Sequence, residues 1–230
     1  MLSTEQIDHF LSLNLGEQVS RIRDASETSI GFAVDPGRLS RSVLARHAAE
    51  HVLRIRRFRQ LDAAATKLIE QHHPEIATPW SRYARSEAVH DRYFLRDLEA
   101  MGIAREHVEQ LQPFQATEAL ISYIRHAIGE FGPLPVVVYS FWAEKNSDEG
   151  SAPIIARGRS LFGDDAVRGA SAHRALDENL NHAEAVTEVL AVLIDSPDKL
   201  LAAVEILGGI TKFIGLYFDE LGEFENARLQ

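Results

Sequence analysis

Apolar residues recur at spacings of three and four along almost the whole chain, the pattern of amphipathic helices that turn one face inward. It predicts helices from about Ser40 to His73, from about Trp80 to Ala100, and over 116–130, 134–147, 152–161, 165–193 and 197–222. Punctuation agrees. Asp35-Pro36-Gly37 precedes the first helix, Pro74 and Pro79 end it, and Gly102 stands at the C-cap of the second. Ser196-Pro197-Asp198 opens the last with a capping residue and a proline at the first helical position. Only PVVVYSF (135–141) competes as a strand. Pro133 and Pro135 suit a first turn, and the apolar pattern runs on to Glu144, so it reads as a buried helix. The expected architecture is all-α: a single domain over 1–230, built as a bundle of seven to eight helices.

Composition narrows the function. The 230 residues carry a formal net charge of −10, which disfavours nucleic acid, whose phosphates need a basic face. The cluster RIRRFR (54–59) is short and reads as an exposed helix face. With no cysteine there is no thiolate metal site, Fe–S cluster or nucleophilic thiol, so any metal must be held by His, Asp and Glu. The N-terminus lacks the basic and apolar regions of a signal peptide, and a cytoplasmic location is expected. The apolar run 200–218 is interrupted by Glu205, Lys212 and two glycines, so a core helix fits it better than a membrane span. GxGxxG, GxxxxGK and GxSxG are all absent.

Three segments carry candidate metal chemistry. In SEAVHDRYFLRDLEAMG (86–102), Glu87 and His90 stand at i, i+3, an arrangement that turns a carboxylate and an imidazole to one side and that helical di-iron and di-manganese proteins use. Phe94 and Asp97 continue that face, with Asp97 a candidate partner for the imidazole N–H. Glu144 continues the apolar stripe of Val137, Ser140 and Phe141, where a carboxylate is costly unless it is paired or bound to metal. The competing reading is a solvated helix end. In SAHRALDENLNHAEA (171–185), His173 and Asp177 share a face at i, i+4, as do Leu180 and Glu184, whereas His182 falls nearly opposite in a regular helix. Elsewhere, His47 and His51 flank Glu50 as an extra ligand pair, pocket residues or a polar face. Tyr83, Tyr93, Tyr139 and Trp142 suit core packing or a pocket wall.

Carboxylates and imidazoles on three separate helices make the chain resemble the haem-oxygenase-like di-iron oxidases and oxygenases, relatives of haem oxygenase, the TenA thiaminases and the quinone-cofactor synthase PqqC. The resemblance spans about 40–220 and includes the ending DLEAMG after His90. It implies that Glu87, His90, Glu144, His173 and Asp177 are metal ligands, with Glu87 and Glu144 also counted as catalytic. It further implies two iron ions, O₂ as co-substrate, and a small-molecule substrate such as an amino or fatty acid carrying a carboxylate. A free amino acid is favoured, in a biosynthetic step of desaturation, C–C cleavage or N-oxygenation, with an arginine of 54–59 for the carboxylate. Neither nucleic acid nor membrane is expected as a partner, and a homodimer is left open.

One position departs from the family pattern. Seven residues after His173 the family has a histidine, and this chain has Leu180. A bulge or local unwinding can bring His182 into the site, the favoured reading. Otherwise Asn181 or Glu184 supplies the ligand, or the second metal is weakly held. The absence of cysteine sets the chain apart from the TenA thiaminases, and a metal-free PqqC-like oxidase leaves Glu87, Glu144 and Asp177 unexplained. The alternative outside enzymology is a helical metal- or ligand-binding protein. His9, the only early candidate for holding haem, reads as a surface residue.

Overall fold

A computed structural model describes residues 3–25 and 39–229, with side chains except at 22–25, 147–150, 177–180 and 225–229. Asp35-Pro36-Gly37 lies outside the described residues. Ten α-helices and one 3₁₀ turn are present among them, and no strand. In order these are α1 Thr4–Ala25, α2 Arg41–His72, α3 Pro74–Glu87, α4 Asp91–Ala100, α5 Arg105–Gln110, α6 Gln115–Phe131, α7 Leu134–Phe162, α8 Arg168–Leu180, α9 His182–Leu193 and α10 Pro197–Leu229, with the 3₁₀ turn at Asp164–Val167 between α7 and α8.

The starts of the two longest helices, α2 and α10, are fixed by local chemistry. Ser40 caps α2 by accepting from the Val43 N–H at 3.3 Å. Its inner face then buries Val43, Leu44, Val52, Phe58, Leu61, Ala65 and Ile69. Ser196 caps α10, accepting from Lys199 N–H at 3.3 Å, with Pro197 in the first turn. Helix α10 is apolar and long enough to cross a membrane, yet half of its apolar window is buried inside the protein. Ala203, Ile206, Leu207, Ile210 and Ile214 are buried there, where α10 packs against α1, α2, α6 and α7, as in a core helix.

Four boundaries differ from the sequence expectation. Pro74 starts α3 rather than only ending α2, and Pro79 rides inside α3. The helix expected from Trp80 to Ala100 breaks over residues 88–90. The helices expected at 134–147 and 152–161 are one continuous α7 that carries Pro153 in its interior. Packing on both halves outweighs the turn-forming residues between them. The stretch 165–193 breaks at Asn181, whose φ of 50° and ψ of 43° are left-handed. Asparagine is one of the few residues with a side chain that tolerates this region. Helices α1 and α5 were not expected.

The basic cluster is not a solvated face. Arg59 Nε donates to Ala88 O at 2.8 Å and its Nη2 to Asp91 Oδ1 at 2.6 Å, while Arg56 Nε donates to Asp91 Oδ2 at 2.9 Å. Arg57 pairs with Glu118 at 2.7 Å. Two guanidinium groups on α2 thus clamp the buried Asp91 carboxylate and fix the break between α3 and α4, which carries Glu87 and His90 on either side. Asp91→Ala should cost about 1–3 kcal/mol in urea unfolding, since both cations keep some contact with water and only the carboxylate is lost from the interior. Wild-type stability in that variant would show the clamp is idle.

Candidate metal centre

The α3–α4 break, the middle of α7 and the α8–α9 break converge beside α2. Two trios of ligand atoms form there, each with all atoms within 4.8 Å of one another: Glu87, His90 and His173, and Glu87, Glu144 and His182. Two ligands on opposite sides of a first-row ion are roughly 4.4 Å apart at bond lengths of ~2.2 Å, so the trios are close to ligating size. Glu87 belongs to both, and its two oxygens face different imidazoles. Oε2 lies 3.0 Å from His90 Nδ1, and Oε1 lies 3.3 Å from His182 Nδ1. His182 Nδ1 is also 3.8 Å from Glu144 Oε1. The His90 and His173 rings meet edge to face, 4.2 Å between centroids.

The residues fit a metal. His90 is completely buried; its Nδ1 lies against Glu87 Oε2, and its Nε2 has no hydrogen-bond partner among the described residues. A buried polar atom left unbonded costs roughly 1–3 kcal/mol, and a bound ion removes that cost. Two carboxylates and three imidazoles, with no thiolate, suit first-row ions such as iron, manganese or zinc. Glu144 is 7 % exposed, so it is no solvated helix end. Tyr83 donates to its Oε1 at 2.9 Å, and burial together with Glu87 and Glu144 holds the Tyr83 phenol well above its usual range, keeping it a donor.

The Asn181 break determines which imidazole arrives. Asn181 and Glu184 are exposed, and His182 is turned into the core. Asp177 lies outside the residues whose side chains are described. Asp97 does not reach an imidazole. It caps α8, accepting from Gly169 N at 2.6 Å and Ala170 N at 2.7 Å. His9 is exposed. Glu50 accepts from Phe114 N and the Thr117 hydroxyl and is fully buried, a structural role.

Replacing Asn181 separates geometry from chemistry. Asn181→Gly should leave metal content unchanged, because glycine enters the left-handed region freely. Asn181→Val should lose ion from the His182 trio, because a β-branched residue resists positive φ. Metal analysis of both variants checks this, and equal content in the two would uncouple the break from the site.

A cavity of about 710 Å³ opens from the trios between α2, α7 and α10. Glu87, Glu144 and His173 line it. His47 and His51 line it as well and belong to neither trio. His47 Nδ1 meets the Tyr217 hydroxyl at 2.6 Å, and burial, with Arg54 second, pushes its pKa down to about 3. His51 Nδ1 is 2.9 Å from His47 O. A carbonyl only accepts, so the His51 proton sits on Nδ1 and Nε2 keeps its lone pair. Tyr83, Tyr139 and Trp142 both pack in the core and line the cavity, and Tyr93 does not line it.

Sequence reading missed Asp62. It lies on the α2 stripe of Phe58, Ala65 and Ile69, is 9 % exposed, and lines the cavity. Burial, reinforced by Glu87, pushes its pKa up to about 8. A lone carboxylate at i+4 from a core phenylalanine was the signal available.

No protein-family profile and no curated protein matches the sequence. Solved structures do. A protein of unknown function from Shewanella denitrificans OS217, described as having a heme oxygenase-like fold, superposes with a TM-score of 0.75 at 18 % identity, over 100 % of this chain and 95 % of that one. The chain has a haem-oxygenase-like fold. A TenA homologue from Pseudomonas syringae pv. tomato DC3000 gives 0.73 at 13 % identity, covering 96 % of this chain and 95 % of that one. A CADD-like protein of unknown function from Nostoc punctiforme PCC 73102 gives 0.67 at 14 %, covering 91 % and 96 %. Within this haem-oxygenase-like frame, α3, α7 and α8 each carry a trio residue that also lines the cavity.

Proposed function

We propose that this protein is a non-haem di-iron oxidase or oxygenase that uses O₂ on a small, carboxylate-bearing substrate held in the cavity. The observation that carries the reading is Glu87, one carboxylate whose two oxygens face the imidazoles of two separate trios at the cavity wall. A carboxylate so placed suits bridging between two ions. Glu87, His90 and His173 would hold one iron, and Glu87, Glu144 and His182 the other. Iron, when bound, supplies the activation of O₂.

The chain's own residues do the rest. Tyr83 holds Glu144 by its hydroxyl and fixes the carboxylate that faces the cavity. Phe58 and Tyr139 stack 4.1 Å apart and exclude water from the wall beside Glu87. Arg54, one of two arginines that line the cavity with Arg174, presents a guanidinium for a substrate carboxylate. The neutral His47 and His51 add hydrogen-bonding capacity without charge.

Anaerobic loading with Fe(II), followed by metal analysis and O₂ uptake against a panel of amino and fatty acids, tests this. About two irons per chain are expected, with O₂ uptake stimulated by a substrate and a transient visible absorption. Iron uptake without substrate-linked O₂ consumption would point to storage. Turnover by the iron-free protein would point to a metal-free oxidase.

A further inference from the structure

An arginine and an aspartate of α2 line the cavity from one helix face. Arg54 and Asp62 are eight residues apart, roughly 12 Å along the helix axis at ~1.5 Å per residue. Both line the same cavity as Tyr139. They form no ion pair with each other. Among the described residues no carboxylate stands within ion-pair distance of Arg54, whose guanidinium lies 5.5 Å from the Tyr217 ring centre. Asp62 likewise has no hydrogen-bond partner and no cation at ion-pair distance among the described residues, and it belongs to neither ligand trio. Between them Ile55 and Phe58 give the cavity an apolar wall.

A cation and a buried carboxyl group that ionises when a cation pairs with it, both lining one cavity and separated by apolar side chains, are complementary to a molecule with the opposite pattern. We propose that Arg54 takes the substrate's carboxylate and Asp62 its protonated amine, so that the substrate is an amino acid whose amine, or guanidine, lies several bonds from the carboxylate. The methylenes between run along Ile55 and Phe58. The amine end lies beside Glu87, so the carbon atoms next to the nitrogen are those presented to the metal centre. A fatty acid would leave Asp62 buried against methylene groups with nothing to accept from, which is costly. An ammonium brings three donors and the missing charge.

This inference rests on the cavity being the substrate site of the proposed oxidase, but its test uses binding alone. Isothermal titration of the full chain with 6-aminohexanoate, hexanoate and hexylamine should rank the zwitterion first by about tenfold or more, the scale of a charge-assisted hydrogen bond. Asp62→Asn should bring 6-aminohexanoate down to the hexanoate level and leave hexanoate unchanged. Arg54→Gln should weaken both carboxylates and leave hexylamine unchanged. The comparison of the three probes on the wild-type protein stands even if a variant fails to fold. Hexanoate binding as tightly as 6-aminohexanoate, or no binding by any probe, overturns the inference. So does an Asp62→Asn protein that loses bound metal while keeping its preference for the zwitterion, which would make Asp62 a ligand. Zwitterion selectivity in a protein that takes up no iron would sink the oxidase reading and leave this recognition pair standing.

Discussion

Glu87→Ala is expected to remove both metal ions, whereas Glu144→Ala removes one. The difference follows from sharing. Glu87 offers one oxygen toward His90 and the other toward His182, so its loss leaves each trio with two members. Loss of Glu144 leaves Glu87, His90 and His173 together. Both variants should lose O₂-dependent turnover, because the proposed chemistry needs both ions. Neither should unfold. In the metal-free protein burial first, and Glu87 second, push up the pKa values of Asp62 and Tyr83, a sign that negative charge is unfavourable in this place. Removing Glu87 should leave the melting temperature of the metal-free protein equal or higher. Metal analysis and thermal melts with and without iron read both effects. Retention of one ion in Glu87→Ala would show that the carboxylate is not shared.

Gly169→Ala should be the most damaging substitution away from the ligands. A Cβ at this position would stand 2.0 Å from Tyr93 O, 2.6 Å from Tyr93 C and 2.8 Å from Asp97 Oδ1. Two of those atoms are backbone, so no rotamer change relieves the clash. Helices α4 and α8 must separate, and the Asp97 hydrogen bonds to Gly169 N and Ala170 N stretch with them. Overpacking and a weakened cap together cost about 2–4 kcal/mol, or roughly 6–12 °C in melting temperature for a chain of this size. His173, one turn further along α8, should draw away from His90 and weaken the first trio. A wild-type melting curve with full metal content would mean that α4 and α8 do not meet at Gly169.

Much of this arrangement was legible because it is local. Glu87 and His90 are three residues apart, and a pair that close is placed by one turn of chain wherever the helix goes. The core faces of α2, α6 and α10 were legible for the same reason, since period alone assigns them. What escaped depends on contacts between elements. The break after Glu87 has no glycine or proline to announce it; it is held by Arg56 and Arg59 from α2, thirty or so residues away in sequence. Asp97 looked like a partner for an imidazole because it shares a helical face with His90, and only the docking of α8 gives its carboxylate two backbone N–H groups instead. Asp62 was invisible against its apolar neighbours because a single carboxylate barely changes the period. Its significance comes from what α3 and α7 place opposite it.

The left-handed residue at Asn181 acts as a clutch between two rotating shafts. In one unbroken helix, the angle at which His173 meets the metal site would dictate the angle at which Val186, Val189, Leu190 and Leu193 meet the core, because every residue is geared to the next by the same turn. The slip at Asn181 lets α8 set its phase by His173 and α9 set its phase by His182 together with its packing. Substitutions that turn α9 then reach the centre through His182 alone and leave His173 in place.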